Sequence, residues 1–123
     1  MRTKFHNEQG KEMGMRRGKE ISQACHGSIS FITRRMQNST TMPKLKKVEQ
    51  EWIEHGFAKI CVRVDSEEEL IEIFQKAKGN GLEAHLIIDS GKTEFKEPTK
   101  TCVAIGPDYS SKIDPITGHL KLL

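Results

Sequence analysis

The chain has 123 residues, of which 35% are hydrophobic and 30% charged, a composition typical of one soluble folded domain. Its apolar runs are too short for a membrane span or a secretory signal, so we expect a cytoplasmic protein. Residues 1–50 contain 11 basic and 4 acidic residues, whereas residues 51–123 are net acidic. This asymmetry fits an anionic partner at the N-terminal half, and it equally fits a charged face that is merely solvated.

The first half of the chain predicts two helices. Residues 1–17 show no sustained period, and most of them predict a loop or a poorly ordered segment. From Gly18 to about Asn38, apolar residues recur every three to four positions. Residues 45–55 predict a second helix that ends before Gly56, and AKICVRV at 58–64 predicts a strand. The apolar stripe of the first helix consists of Ile21, Cys25, Ile29, Ile32 and Met36.

The second half predicts an alternation of helix and strands. Ser66 and Glu69 form a capping box at the start of a third helix, which Gly79 ends. AHLIID at 84–89 and KTCVAIG at 100–106 predict two strands with a loop or hairpin connection at 91–99, and the tail contains turn signals at 114–115 and 117–118. The pattern predicts a single α/β domain over residues 1–123, a three-layer α/β/α sandwich with a small mixed sheet of about four strands.

Neither cysteines nor histidines indicate a metal site. The three cysteines, Cys25, Cys61 and Cys102, are widely spaced among apolar neighbours and are interpreted as small buried hydrophobic residues. The five histidines lack the spacing of zinc ligands. This spacing argues against a zinc site, and we expect no cofactor.

The polar face of the first helix is the first candidate for chemistry. Lys19, Gln23, His26 and Ser30 are spaced i, i+4, i+7 and i+11, and so form one stripe opposite the apolar one. Arg16, Arg17 and Lys19, with the backbone N–H groups of a helix start, predict a phosphate site. The alternative is an exposed helix face that happens to contain a histidine.

Asp89 is the second candidate, because it ends a buried strand, where open α/β sheets bind ligands. It is equally compatible with an ordinary Asx turn. Thr99 and Thr101 lie two residues apart and, if their strand begins there, share a face. Thr93 lies between these elements in the sequence.

Taken together, these residues resemble the peptidyl-tRNA hydrolase 2 family of archaea and eukaryotes over roughly residues 13–123. The resemblance lies in the order and spacing of short motifs. These are Gly18-Lys19-x3-Gln23-x2-His26, Asp89-Ser90-Gly91-Lys92-Thr93, Thr99-Lys100-Thr101, Ala104-Ile105-Gly106-Pro107 and the closing Ile113-Asp114-x2-Thr117-Gly118-His119-Leu120-Lys121-Leu122.

The resemblance implies a metal-independent esterase that releases tRNA from peptidyl-tRNA, with a four-stranded mixed sheet and commonly a homodimeric assembly. It implies Lys19, Asp89, Thr93 and Thr101 as active-site residues, with His26 nearby. As a hypothesis, Lys19 stabilises the oxyanion or holds the terminal phosphate, and Asp89 orients Lys19 or accepts a proton from water. Arg16, Arg17, Lys19 and Gln23 are the expected tRNA contacts.

The N-terminus departs from the family pattern. The family opens with an apolar strand, whereas KFHNEQGKEM at 4–13 lacks β-branched residues and alternation. The first strand is therefore absent, weak or replaced, and residues 1–12 are atypical. The alternative function is a catalytically inactive relative that binds tRNA or protein.

Overall fold

The structure, a computed structural model, describes residues 16–90 and 98–123, and the backbone of three two-residue strands before them. Those strands are β1 (Arg2–Thr3), β2 (Phe5–His6) and β3 (Glu12–Met13). The remaining elements are α1 (Arg17–Gln37), α2 (Lys47–Glu54), β4 (Arg63–Val64), α3 (Glu67–Gly79), β5 (Ala84–Asp89), β6 (Thr99–Ile105) and α4 (Ser110–Thr117). The order confirms the α/β class predicted from the sequence.

The centre of the fold is the antiparallel pair of β5 and β6, with a helix on each face. Strand side chains alternate between faces, and those of Ile87, Cys102 and Ala104 lie on the face that packs on α1. They meet the helix at Gly27, where an added Cβ atom would lie 3.4–3.8 Å from all three side chains. The other face packs on α3 and α4. Its buried core consists of Val64, Leu70, Ile73, Ala77, Leu82, Ala84, Val103 and Ile116.

The described strands pair as three two-stranded ladders. Besides β5 with β6, β1 pairs with β4 in parallel and β2 with β3 antiparallel. Among the described residues these ladders do not join into the single mixed sheet of about four strands predicted from the sequence, and the longest of them is the antiparallel pair of β5 and β6. Each N-terminal strand contains only two residues, which agrees with the weak strand pattern there.

Two elements differ from their sequence predictions. The strand predicted at 58–64 is confined to Arg63–Val64, with one further bridge from Val62 to Leu122, because β1 offers only two residues for pairing. Pro115 lies inside α4 and does not form the predicted turn. A proline has no N–H to donate to the carbonyl four positions earlier, which here is that of Ser111. Because Ser111 is exposed, water can bond to this carbonyl and the helix tolerates the proline.

The helix boundaries are otherwise close to those predicted. Ser66 caps α3 by accepting a hydrogen bond from the Glu69 N–H at 3.1 Å. The Glu69 carboxylate bonds to the N–H of Asp65 and not to that of the capping serine, so only half of the predicted capping box forms. Among the described residues, no helix is long and apolar enough to cross a membrane.

The face of α1 that packs on the sheet is the polar one. Gln23 and Ser30 are buried, whereas the apolar stripe points away from the sheet, with Ile21 59%, Ile29 52% and Met36 49% exposed. The alternative that the polar stripe is merely an exposed face is therefore wrong for Gln23 and Ser30.

The prediction of three buried cysteines is wrong for two of them. Cys25 is exposed because it belongs to the outward stripe of α1, and Cys61 is exposed because it precedes the short β4. Cys102 is buried between α1 and the sheet, and burial raises the pKa of its thiol.

Candidate active site between α1 and the end of β5

An ion pair joins the first turn of α1 to the last residue of β5. The Lys19 ammonium donates to Asp89 Oδ1 at 2.5 Å, and the two side chains are only 11% and 8% exposed. A charged pair so little exposed to water interacts more strongly than a surface pair, and it holds both groups in one geometry. Thus two residues 70 positions apart in the sequence form one polar centre.

A second buried contact lies on the same side of the sheet. The Thr101 hydroxyl donates to Gln23 Oε1 at 2.6 Å and lies 3.2 Å from the carbonyl of Ile87. Thr101 is fully buried, and a register shift of β5 against β6 lies beside it, between Ile87 and Ile88. At this register shift the Thr101 hydroxyl faces α1, and its hydrogen bond holds the Gln23 side chain in place.

The start of α1 presents positive charge. Arg16 is the N-cap residue, and its side chain makes no capping hydrogen bond, while Arg17 begins the helix and both are exposed. The backbone N–H groups of a first helical turn and the helix dipole favour an anion at this end. The phosphate site predicted from Arg16, Arg17 and Lys19 stays a prediction.

A groove of about 370 Å³ leads from Asp89 along α1. Its walls are one polar face of the helix and the end of β5. The lining residues are Gln23, His26, Ser30, Thr33, Arg34, Gln37, Ile87, Ile88, Asp89 and Ser90. The groove therefore opens from the side of the ion pair and continues towards the C-terminus of α1.

The remaining predicted site residues take different positions. His26 is exposed and lines the groove, but it makes no hydrogen bond to a described residue. Thr99 lies opposite Asp89 in the β5–β6 register. Thr93, together with the rest of 91–97, lies outside the described residues, as does nearly all of the loop predicted at 91–99.

A charged cluster holds the C-terminal half of α1 against its neighbours. Arg35 donates to both carboxylate oxygens of Glu49 at 2.7 and 2.6 Å, and to Glu83 at 3.1 Å. Burial alone would raise the pKa of Glu49, but hydrogen bonds from Arg35 and the Lys46 N–H leave that pKa below its ordinary value. The hydrogen bonds to Glu49 likewise raise the pKa of Arg35. The cluster ties α1 to α2 and to the start of β5.

Sequence reasoning missed the groove beyond Ser30. The signal was available, because the polar spacing of Lys19, Gln23, His26 and Ser30 continues to Thr33 and Gln37 on the same helix face. Arg34 was also missed, and nothing in its local sequence marks it. Its guanidinium donates to the Leu86 carbonyl at 2.6 Å and contacts His85 Nδ1 at 3.1 Å.

The site combines a nearly buried lysine–carboxylate pair with a basic helix start, an arrangement that suits an anionic ligand. Among the described residues, no group of three histidine, cysteine or acidic side chains is arranged to hold a metal ion.

Comparison with known proteins identifies the family. Residues 10–123 match the model of the family described as peptidyl-tRNA hydrolase PTH2. The peptidyl-tRNA hydrolase of Methanocaldococcus jannaschii is 42% identical over 91% of this chain and 92% of its own length. The peptidyl-tRNA hydrolase of Methanothermobacter thermautotrophicus is 42% identical over 91% of this chain and 92% of its own length. The probable peptidyl-tRNA hydrolase 2 of Dictyostelium discoideum is 37% identical over 90% of this chain and 50% of its own length. The chain belongs to the peptidyl-tRNA hydrolase PTH2 family, which confirms the resemblance found in the sequence.

Proposed function

We propose that this protein hydrolyses the ester bond between a peptide and the 3′ end of tRNA, as one domain acting in the cytoplasm. The Lys19–Asp89 pair is the observation that carries the proposal, because it combines a cation and a carboxylate at 2.5 Å in a site largely shielded from water. Family membership supplies the substrate class, since the matched relatives are named peptidyl-tRNA hydrolases.

The reaction needs a group that accepts a proton from water and a donor for the carbonyl oxygen. Asp89 is the proposed proton acceptor, and the water oxygen then attacks the ester carbon. The Lys19 ammonium stabilises the negative charge that develops on the carbonyl oxygen. When the tetrahedral intermediate collapses, the ribose oxygen leaves and takes up the proton that Asp89 accepted, giving free tRNA and restoring the carboxylate. The peptide leaves as a carboxylic acid and loses its proton to water.

Thr101 acts through another residue. Its hydroxyl is fully buried and bonded to Gln23, which supports a positioning role for Thr101 and a substrate contact for Gln23. His26 lines the groove next to this pair and belongs to the proposed site as a polar wall. Thr93 stays a proposed active-site residue on the resemblance alone.

The exposed basic residues at the start of α1 suit the tRNA. Arg16 and Arg17 flank the helix start, and Lys19 follows within the first turn. Phosphate contacts of this kind supply affinity without reading the base sequence. Binding should therefore weaken as the salt concentration rises.

A homodimer is the proposed assembly. The outward face of α1 exposes Ile21, Ile29 and Met36 by about half each, and Cys25 lies between them. Contiguous apolar surface of this kind favours association. A second copy that presents the same stripe across a two-fold axis would cover it on both chains.

The hydrolase proposal is tested by release of labelled peptide from purified peptidyl-tRNA. Lys19→Ala should lose most turnover but only a modest part of the tRNA binding, because the reacting centre depends on its ammonium while Arg16 and Arg17 still contact the phosphates. The exposed Lys76, on α3, provides a control of equal charge, and Lys76→Ala should behave like the wild type. Equal small losses of turnover and binding in Lys19→Ala would contradict the proposal and favour a protein that only binds.

The dimer is tested by light scattering on the purified chain. Ile29→Asp places one charge from each copy in the apolar stripe, so it should convert the dimer to a monomer. Gln75→Asp, at an exposed position of α3, should remain dimeric. A wild-type monomer at tens of micromolar protein, or a dimeric Ile29→Asp variant, would contradict this assembly.

A further inference from the structure

We infer that the groove along α1 binds the peptide part of the substrate, an inference that rests on the proposed hydrolase function. The substrate has two parts joined at the ester, and the reacting centre is the Lys19–Asp89 pair. The basic helix start occupies one side of this pair. The groove leaves on the other side, from Asp89 towards Gln37.

The lining of the groove suits an uncharged polypeptide better than phosphates. Its single arginine, Arg34, is already bonded to the Leu86 carbonyl and to His85. Most of the other polar lining consists of neutral side chains, namely Gln23, Ser30, Thr33 and Gln37. The hydroxyls of Ser30 and Thr33 donate to backbone carbonyls at 2.7 and 3.5 Å, so they offer acceptor oxygens to the groove, whereas the amides of Gln23 and Gln37 also offer donors. A peptide offers N–H and carbonyl groups to such a surface, whereas a phosphate chain needs more cations.

The Gln23 side chain is held in place with an amide N–H group that can donate a hydrogen bond to this peptide. Its Oε1 accepts the Thr101 hydroxyl at 2.6 Å, a distance typical of an O–H donor and short for an amide N–H. Gln23 lines the groove, so its amide nitrogen is the atom of this side chain that remains to bond a ligand there, and it makes no hydrogen bond to a described residue. Gln23 is only 4% exposed, so a donor there gains most when a carbonyl oxygen binds to it.

The edge of β5 adds backbone groups to the same groove. Ile87 and Ile88 are consecutive, so their side chains point to opposite faces of β5. Because both residues line the groove, the groove passes over the edge of this strand. Among the described residues, β5 pairs with β6 alone. Arg34 occupies the carbonyl of Leu86 and limits pairing to the end of the strand near Asp89. An extended peptide can add to such an edge.

The length of the groove sets the expected number of residues. Gln23 and Gln37 are 14 positions apart on α1, a distance of about 21 Å at 1.5 Å per residue. An extended chain rises about 3.3 Å per residue, so the groove holds at most about six. Substrates with several residues should therefore react better than substrates with one.

The experiment compares two substrates built on the same tRNA, one with a single N-acetylated amino acid and one with a five-residue peptide. We expect the wild type to show a kcat/KM at least about tenfold higher for the longer peptide. Thr33→Trp fills the groove and should remove this advantage, while the short substrate changes by less than about threefold. Gln75→Trp on α3 is the control and should keep the wild-type preference.

A second variant covers the case in which Thr33→Trp does not fold. Gln37→Trp substitutes an exposed residue at the far end of the groove and should lower only the reaction of the longer substrate. No length preference in the wild type, or equal losses on both substrates in these variants, would overturn the inference. Weaker inhibition by free tRNA in the variants would assign the groove to tRNA instead. A wild-type chain inactive on both substrates would refute the proposed function itself.

Discussion

The Arg35–Glu49 pair gives the sharpest prediction for stability. Glu49 is fully buried and bonded twice to Arg35, so Glu49→Gln removes the charge partner while keeping the shape. At a charge separation of about 4 Å and an effective dielectric constant of about 20, the lost attraction is about 4 kcal/mol. The Arg35 side chain is 22% exposed and regains some hydration, so we expect a loss of about 2–3 kcal/mol.

Urea unfolding, followed by circular dichroism at pH 7, measures this loss. Glu54→Gln, at an exposed position of the same helix, is the matched control and should change the free energy of unfolding by less than about 0.5 kcal/mol. A Glu49→Gln variant as stable as this control would refute the reasoning.

The same variant has a defined pH dependence. The folded-state pKa of Glu49 lies below its ordinary value of 4.5, so its stabilising effect is present above that value. The effect is lost as the pH falls through the lower folded-state pKa. The difference in unfolding free energy between wild type and Glu49→Gln should therefore be constant near neutral pH and shrink below about pH 4. A difference that grows with acidity would contradict the assigned pKa direction.

Two further predictions concern the packing of α1. Gly27→Leu should destabilise the fold by about 1–3 kcal/mol in urea unfolding, because a Cβ atom alone would already lie 3.4 Å from the Ala104 Cβ. Unchanged stability would show that the helix does not lie so close to the sheet. In thiol labelling at pH 8, the exposed Cys61 should react at once, and Cys25 should react only when Ile29→Asp has separated the proposed dimer. Cys102 should react only on unfolding, because burial raises the pKa of its thiol. Rapid labelling of Cys102 in the folded chain would contradict its burial.

The sequence was sufficient to predict the periodic elements. The helical spacing of α1, the serine cap of α3 and the apolar run of β5 all depend on local patterns, and each appears close to its predicted position. The strand at 58–64 failed because a strand needs a partner, and β1 supplies only two residues. Pro115 was misplaced because its effect on a helix depends on which backbone groups remain open to water.

The candidate site was predictable by residue type but not by contact. Lys19 and Asp89 were marked by a helix start and a strand end, whereas their pairing across 70 residues depends on the tertiary fold. The burial of Gln23 was not predictable from periodicity, because an apolar stripe on the opposite face suggested the usual orientation of an amphipathic helix. The proposed homodimer would resolve this conflict, because the apolar face of α1 would then be buried between the two copies.

The most direct test of the central claim is the turnover of peptidyl-tRNA by Asp89→Asn. The amide keeps the shape of the carboxylate but cannot accept the proton from water, and it removes the negative charge that pairs with Lys19 at 2.5 Å. Asp114→Asn, at an exposed position of α4, is the control. We predict a loss of kcat of about 10²–10⁴-fold for Asp89→Asn alone, in a chain that stays folded. A folded Asp89→Asn variant that releases peptide within about threefold of the wild-type rate would contradict hydrolysis at this pair.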